Sequence, residues 1–145
     1  MFNKKMDQRI VLSTLWIFVT LNYLYCDLMG LMDANLLNQY LTGTVEGMEM
    51  NEGFLFGAAI LMEIPIAMVL LSRILKYQIN RWTNIAAALI KTLVMVATLF
   101  VGVPTLYYIF FAVIEIATTS FIVWYSWKWS GFEINGDNMG MGSGV

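Results

Sequence analysis

Apolar residues fill four long stretches of this chain, Ile10 to Met32, Gly53 to Ser72, Trp82 to Val101 and Thr105 to Trp127, and polar intervals separate them. A helix that crosses the hydrocarbon core of a bilayer needs about 20 predominantly apolar residues. Each stretch is that long. In three of them polar and small residues recur mostly at separations of three, four or seven. The first set is Ser13, Trp16, Thr20, Tyr23, Asp27 and Gly30; the second is Asn84, Ala87, Ala88, Lys91, Thr98 and Gly102; the third is Tyr108, Ala112, Glu115, Thr119 and Ser126. Such spacing places each set on one face of a helix. Small residues let helices approach closely, and hydroxyls bond across the contact. The pattern predicts an all-α fold, a membrane-spanning four-helix antiparallel bundle occupying residues 1–129 as one domain.

Composition agrees with that class. With 59% hydrophobic and 12% charged residues and a mean hydropathy of +0.70, the chain is too apolar for a soluble domain and too poor in charge for a disordered one. Lys4, Lys5 and Arg9 precede the first stretch as they would in a secretory signal. That stretch nevertheless exceeds the roughly 7–15 residues of a signal core, and no small-x-small cleavage site follows it, so it is read as a retained span. Residues 130–145 are rich in Gly, Asn and Met without periodicity, which predicts a disordered tail. The Gly-Ser-Gly end of that tail also fits a cloning remnant.

Charge then orients the spans. Every Lys and Arg except Lys91 lies before the first span (Lys4, Lys5, Arg9), between the second and third (Arg73, Lys76, Arg81) or after the fourth (Lys128). By the positive-inside rule both termini and the second connection face the cytoplasm across an inner (plasma) membrane. The first connection carries Asp33, Glu46, Glu49 and Glu52 without a base, forming an acidic outer rim that either keeps a loop solvated or attracts cations. Trp82, Trp124, Trp127 and Trp129 at one end, and Tyr107 and Tyr108 at the other, fit interfacial belts.

Each span also holds one ionisable side chain: Asp27, Glu63, Lys91 and Glu115. A charge in hydrocarbon costs at least about 2.5–3.5 kcal/mol unless it is paired or solvated, so such residues mark functional or paired sites. At the helical rise, Glu63 and Lys91 lie roughly 13 Å from the cytoplasmic ends of their spans, Glu115 roughly 17 Å and Asp27 roughly 22–25 Å. The first three share a midplane layer, with Asp27 above it. Lys91 is therefore expected to pair with Glu63 or Glu115, leaving the other acid protonated. Pro65, two residues after Glu63, frees the carbonyl of Leu61 and adds a local acceptor. Glu-Ile recurs at 63–64 and 115–116, each followed thirteen residues after the Glu by a lysine, Lys76 and Lys128. A duplicated two-helix unit would set both acids at one depth around a pseudo-twofold axis.

Other chemistries are excluded or disfavoured. The absence of histidine removes the commonest general base and the usual haem and catalytic zinc ligands, so no cofactor and no metal is assigned. A single cysteine, Cys26, precludes an intrachain dithiol relay and reads as a packed apolar side chain. The few basic residues lie close to the membrane and do not suit nucleic acid.

The segments Leu12-Ser13-Thr14-Leu15-Trp16-Ile17-Phe18, Asn22-Tyr23-Leu24-Tyr25 with Asp27, Glu63-Ile64-Pro65-Ile66-Ala67, Asn80-Arg81-Trp82 and Thr105-Leu106-Tyr107-Tyr108 with Glu115 together carry a resemblance. In these, the chain resembles uncharacterised bacterial four-helix membrane proteins of the broad DoxX-like kind, a resemblance that implies a fold and no activity. Two function classes follow from the residues. One is a small oligomeric transporter or channel coupled to protons or cations, with Asp27, Glu63, Lys91 and Glu115 as its site and Tyr23, Pro65, Tyr108 and Thr119 in support. The other is a non-catalytic accessory subunit or a module for a lipid, quinone or other hydrophobic ligand. An enzyme is disfavoured. The expected partners are the bilayer, further copies of the chain, and a proton, small cation or hydrophobic ligand.

Overall fold

Asp7 opens the first helix, α1 (Gln8–Met32), by accepting the Arg9 N–H at 3.0 Å. Asp33 closes α1 and caps α2 (Ala34–Thr42), its carboxylate taking the N–H groups of Asn35 and Leu36 at 3.0 and 3.4 Å. Gly43, with φ 76°, supplies the left-handed residue that ends α2. The chain then turns through a minimal hairpin, β1 (Thr44–Val45) against β2 (Met48–Glu49). Its two-residue loop is Glu46-Gly47, and both residues have positive φ, as tight hairpin turns require. Three further helices follow: α3 (Glu52–Ile74) capped by Asn51, α4 (Tyr77–Leu99) and α5 (Leu106–Lys128). The computed structural model describes residues 7–129, so the tail expected over 130–145 lies outside the described residues.

Four of these helices, α1, α3, α4 and α5, are long and apolar enough to cross a membrane. They form the antiparallel four-helix bundle that the hydrophobic pattern predicts, and the chain is a multi-pass membrane protein. The first connection is more ordered than the simple loop expected there. Leu36, Leu37, Tyr40 and Leu41 give α2 an apolar side, and Asp33 and Gly43 bracket it with start and stop signals.

The helices pack in chain order as a ring of uneven strength. The α1–α3 and α4–α5 contacts are extensive, α1 also packs on α5, and the α3–α4 seam is the thinnest of the four. Side chains at 51–60, the hairpin end of α3, are all exposed, so that helix leaves the bundle over its first turns. In the other half, nearer the termini, the core is built from Leu12, Trp16, Val19, Met68, Ala87, Ala88 and Ile122.

A buried polar network closes the thin seam in that half. The Trp16 indole donates to Asn84 Oδ1 at 2.7 Å, and the Ser72 hydroxyl donates to the same oxygen at 3.2 Å. The Asn84 amide donates to the side chain and the carbonyl of Asn80 at 2.6 and 2.8 Å, and the Asn80 amide donates to the Ser72 carbonyl at 2.6 Å. Below this network Arg73 donates to the Ser13 hydroxyl, which donates to the Val69 carbonyl. Arg81 lies 5.8 and 5.7 Å from the ring centroids of Trp82 and Trp127, and Lys128 lies 4.4 Å from Trp124, so the basic and aromatic residues share one interface.

Replacing Asn84 with Leu removes the acceptor shared by α1 and α3 and strands the indole and amide groups that met there. The expected loss is about 1–2 kcal/mol in reversible unfolding from mixed micelles. Thr83→Ala, which removes only a hydroxyl bonded within its own helix, is the matched control and should change little.

Candidate functional site

Proline at position 65 has no N–H to give the carbonyl four residues earlier, so α3 carries an unsatisfied acceptor at Leu61 in the middle of the membrane. The ammonium of Lys91 reaches across from α4 and donates to that carbonyl at 3.4 Å. Its other side lies over the Tyr23 ring of α1, 3.8 Å from the centroid. One cation thus joins α1, α3 and α4 through a backbone dipole and a ring face, with 2% of Lys91 exposed. Asp27 lies one turn beyond Tyr23 on α1 and makes no ion pair with Lys91 among the described residues.

This arrangement corrects the expected pairing. Lys91 forms no ion pair with Glu63 or Glu115 among the described residues. Glu63 is exposed on the outer side of α3, because Pro65, Met68 and Ser72 are the residues that α3 turns inward. Glu115, by contrast, is 2% exposed and faces the bundle interior from α5. The two Glu-Ile acids therefore occupy unlike environments, and the pseudo-twofold relation expected from the repeat is not seen. Asp27 is exposed on the flank of α1, so the buried charged residues of a single bundle are Lys91 and Glu115.

The register of α4 and α5 sets Glu115 about one turn nearer the hairpin end than Lys91, close to the common depth expected but not level with it. The Thr92 hydroxyl, next to Lys91, meets that of Thr119, one turn from Glu115, at 2.8 Å. Further toward the hairpin end Tyr108 donates to the Thr98 hydroxyl at 2.7 Å and approaches the Met95 sulfur at 3.7 Å. Around this depth the buried atoms Asn22 Nδ2, Tyr23 Oη and Glu115 Oε1 have no hydrogen-bond partner. Buried polar groups are rarely left unpaired, and each such group invites a ligand or a moving proton. Asn22, Asn80 and Ser72 were not singled out as site residues from the sequence. The i, i+4 pair of asparagines on α4 was the available signal.

Above Met95 the stripe opens into a cavity of about 640 Å³, bounded by α2, the hairpin and the α4–α5 connection. Thr98, Tyr108, Tyr40, Tyr107 and Glu46 are among its lining residues. Although Tyr40 is 39% exposed, its partial burial raises the phenol above its ordinary value, and the Asp27 charge adds to the effect. No group of three His, Cys, Asp or Glu among the described residues is placed to hold a metal ion. From the cavity toward the termini the polar groups follow the order Tyr108–Thr98, Glu115 near the level of Met95, Thr92–Thr119 with Lys91 next to it, then the Asn84 network.

A family of unknown function, DUF6326, matches residues 1–135. The chain belongs to this family. No curated protein and no solved structure matches the chain. The family is one without an assigned function, as the resemblance implied, and none of these comparisons supports the DoxX-like assignment.

The Pro65–Leu61–Lys91 contact is testable by a double-mutant cycle. Lys91→Met alone should destabilise the protein by about 1–3 kcal/mol, because it returns the Leu61 carbonyl to an unsatisfied state. In a Pro65→Ala background, where residue 65 regains its N–H, the same change should cost about 1 kcal/mol less. Lys91→Met and Glu115→Gln should add without coupling. Additivity in the first cycle, or strong coupling in the second, would overturn the assignment.

Proposed function

We propose that the protein is a small, non-enzymatic membrane transporter that couples movement of its solute to protons or small cations, with Glu115 as the carrier and Lys91 as a fixed charge about one turn nearer the termini. The observation that carries this reading is the buried Glu115 carboxyl with an unpartnered oxygen, in a bundle whose buried lysine is not its ion-pair partner. A carboxyl in that position gains from binding a proton or a small cation and has no competing intramolecular donor to displace. The polar column supplies stepping groups on both sides: Tyr108 and Thr98 toward the cavity, Thr92, Thr119 and Asn84 toward the termini.

The working unit is an oligomer of this chain in an inner membrane, with its termini cytoplasmic. Glu63 and Asp27 are exposed on the bundle surface at membrane depth, and carboxyl groups in contact with lipid are costly. A neighbouring copy that covers them lowers that cost. Gly57, with nothing within 4 Å of the Cβ it lacks, sits on the same uncovered stretch of α3.

The accessory-module reading also has an observation behind it. Met95, one turn from Lys91 on α4, is 6% exposed and packs beside Thr98 and Tyr108. In a static module that packing is permanent, and in a transporter it has to open.

Reconstituted in liposomes, the wild-type protein should carry protons under an imposed gradient, and Glu115→Gln, which keeps shape while removing titration, should fold normally and abolish the flux. Wild-type liposomes inert across a panel of cations and amphiphiles would shift the assignment to the module. Orientation is checked separately. A cysteine placed at Thr44 in a Cys26→Ala background should react with an impermeant maleimide from outside intact cells, and protection there until lysis would reverse the topology.

A further inference from the structure

The cavity at the hairpin end has a chemistry distinct from that of the midplane. Its volume, about 640 Å³, is that of a small-molecule site. Three phenol rings, Tyr40, Tyr107 and Tyr108, line it together with aliphatic side chains and two carboxylates, Asp33 and Glu46. Asp33 is already engaged in capping α2. Glu46 is different: its backbone N–H is held by the Gln39 side chain at 2.9 Å, while its exposed carboxylate lies over Gly102 without a basic partner. Gly102, at φ 65° and without a Cβ, leaves the space that the Glu46 side chain occupies.

No Lys or Arg is among the described residues that line this region. The sequence has no Lys or Arg between Arg9 and Arg73, or between Lys91 and Lys128, so all segments that build the cavity are free of positive charge. The Asp27 carboxylate also acts on Tyr40 and Tyr108, adding negative potential from the α1 side. Ring faces carry negative quadrupole potential, and several of them near a carboxylate favour a weakly hydrated cation that also has apolar surface. A hydrated metal ion gains little from aliphatic and aromatic walls, and an anion is repelled.

We infer that this cavity binds an organic ammonium ion, a primary or quaternary amine with an apolar body, held by Glu46 and the face of Tyr40 over an aromatic and aliphatic floor. The site stands on its own lining and holds whether or not the midplane layer transports protons.

The test uses the full-length protein in detergent micelles and benzyltrimethylammonium as probe, followed by calorimetry against protein-free micelles. Its uncharged carbon analogue, neopentylbenzene, and the anion benzenesulfonate serve as comparison ligands. Saturable binding of the ammonium is expected, with the comparison ligands weaker by about tenfold or more. Glu46→Gln should weaken binding severalfold and flatten its salt dependence. Tyr40→Leu should weaken it by about fivefold to tenfold, whereas Tyr40→Phe, which keeps the ring face, should retain it. Both residues are exposed, so the variants should fold as the wild type does, checked by their unfolding transitions. The proposal is overturned if the ammonium shows no saturable binding or binds no better than its carbon analogue. It is equally overturned if Glu46→Gln has no effect, or if Tyr40→Phe is as damaging as Tyr40→Leu.

Discussion

A carbonyl that lost its donor to proline and an ammonium without a carboxylate partner meet in the middle of this bundle. Either one alone is unfavourable in hydrocarbon: the Leu61 carbonyl because nothing in lipid can donate to it, Lys91 because its charge is poorly solvated there. Together they make a charge–dipole contact at 3.4 Å, with the Tyr23 ring covering the opposite side of the cation at 3.8 Å. The helices are positioned by this requirement. α4 must present Lys91 to the proline break in α3, and α1 must present Tyr23 to both.

Because the α3–α4 seam is the thinnest in the ring, that contact also sets how far the bundle is closed. On the terminal side, Ser72, Asn80 and Asn84 hold the two helices together and tie in Trp16. Past Lys91, residues 51–60 of α3 stand clear of the other helices, while α2 and the hairpin roof the α4–α5 side and enclose the cavity. The molecule is consequently asymmetric along the membrane normal, densely hydrogen-bonded at one end and hollow at the other. Met95, an unbranched and deformable side chain, is buried beside Thr98 and Tyr108 between the two regions.

The four spans were legible because a bilayer imposes length and hydropathy on any helix that crosses it, and the inward stripes of α4 and α5 were legible because small and polar residues there repeat at helical spacing. The Leu61 carbonyl was legible for the same local reason, since the loss of a proline's N–H depends on nothing but the chain. The partner of Lys91 was not. Depth could be counted along each helix, but rotation about the helix axis could not, and rotation is what turns Glu63 outward. In α3 the mean hydropathy is so uniform that no face announces itself, and its inward side is marked only by Pro65, Met68 and Ser72. The hairpin and α2 were missed because a short acidic, glycine-containing segment between spans reads as a loop, although the Asp33 and Gly43 brackets were present.

Glu63 and Glu115 illustrate how the same dipeptide acquires opposite meanings from its helix. In α5, Ala112, Thr119 and Ser126 share the face of Glu115, so burial of the acid follows from close helix approach and the carboxyl becomes part of the interior. In α3, Ile66 and Leu70 are exposed together with Glu63, so the acid belongs to a surface that is otherwise suited to lipid. A carboxyl facing lipid is costly, and Lys91 is committed to Leu61 and Tyr23. The interior of the bundle therefore offers Glu63 no basic partner among the described residues, and the cost of that acid is set by what lies against the outer side of α3 and not by the core.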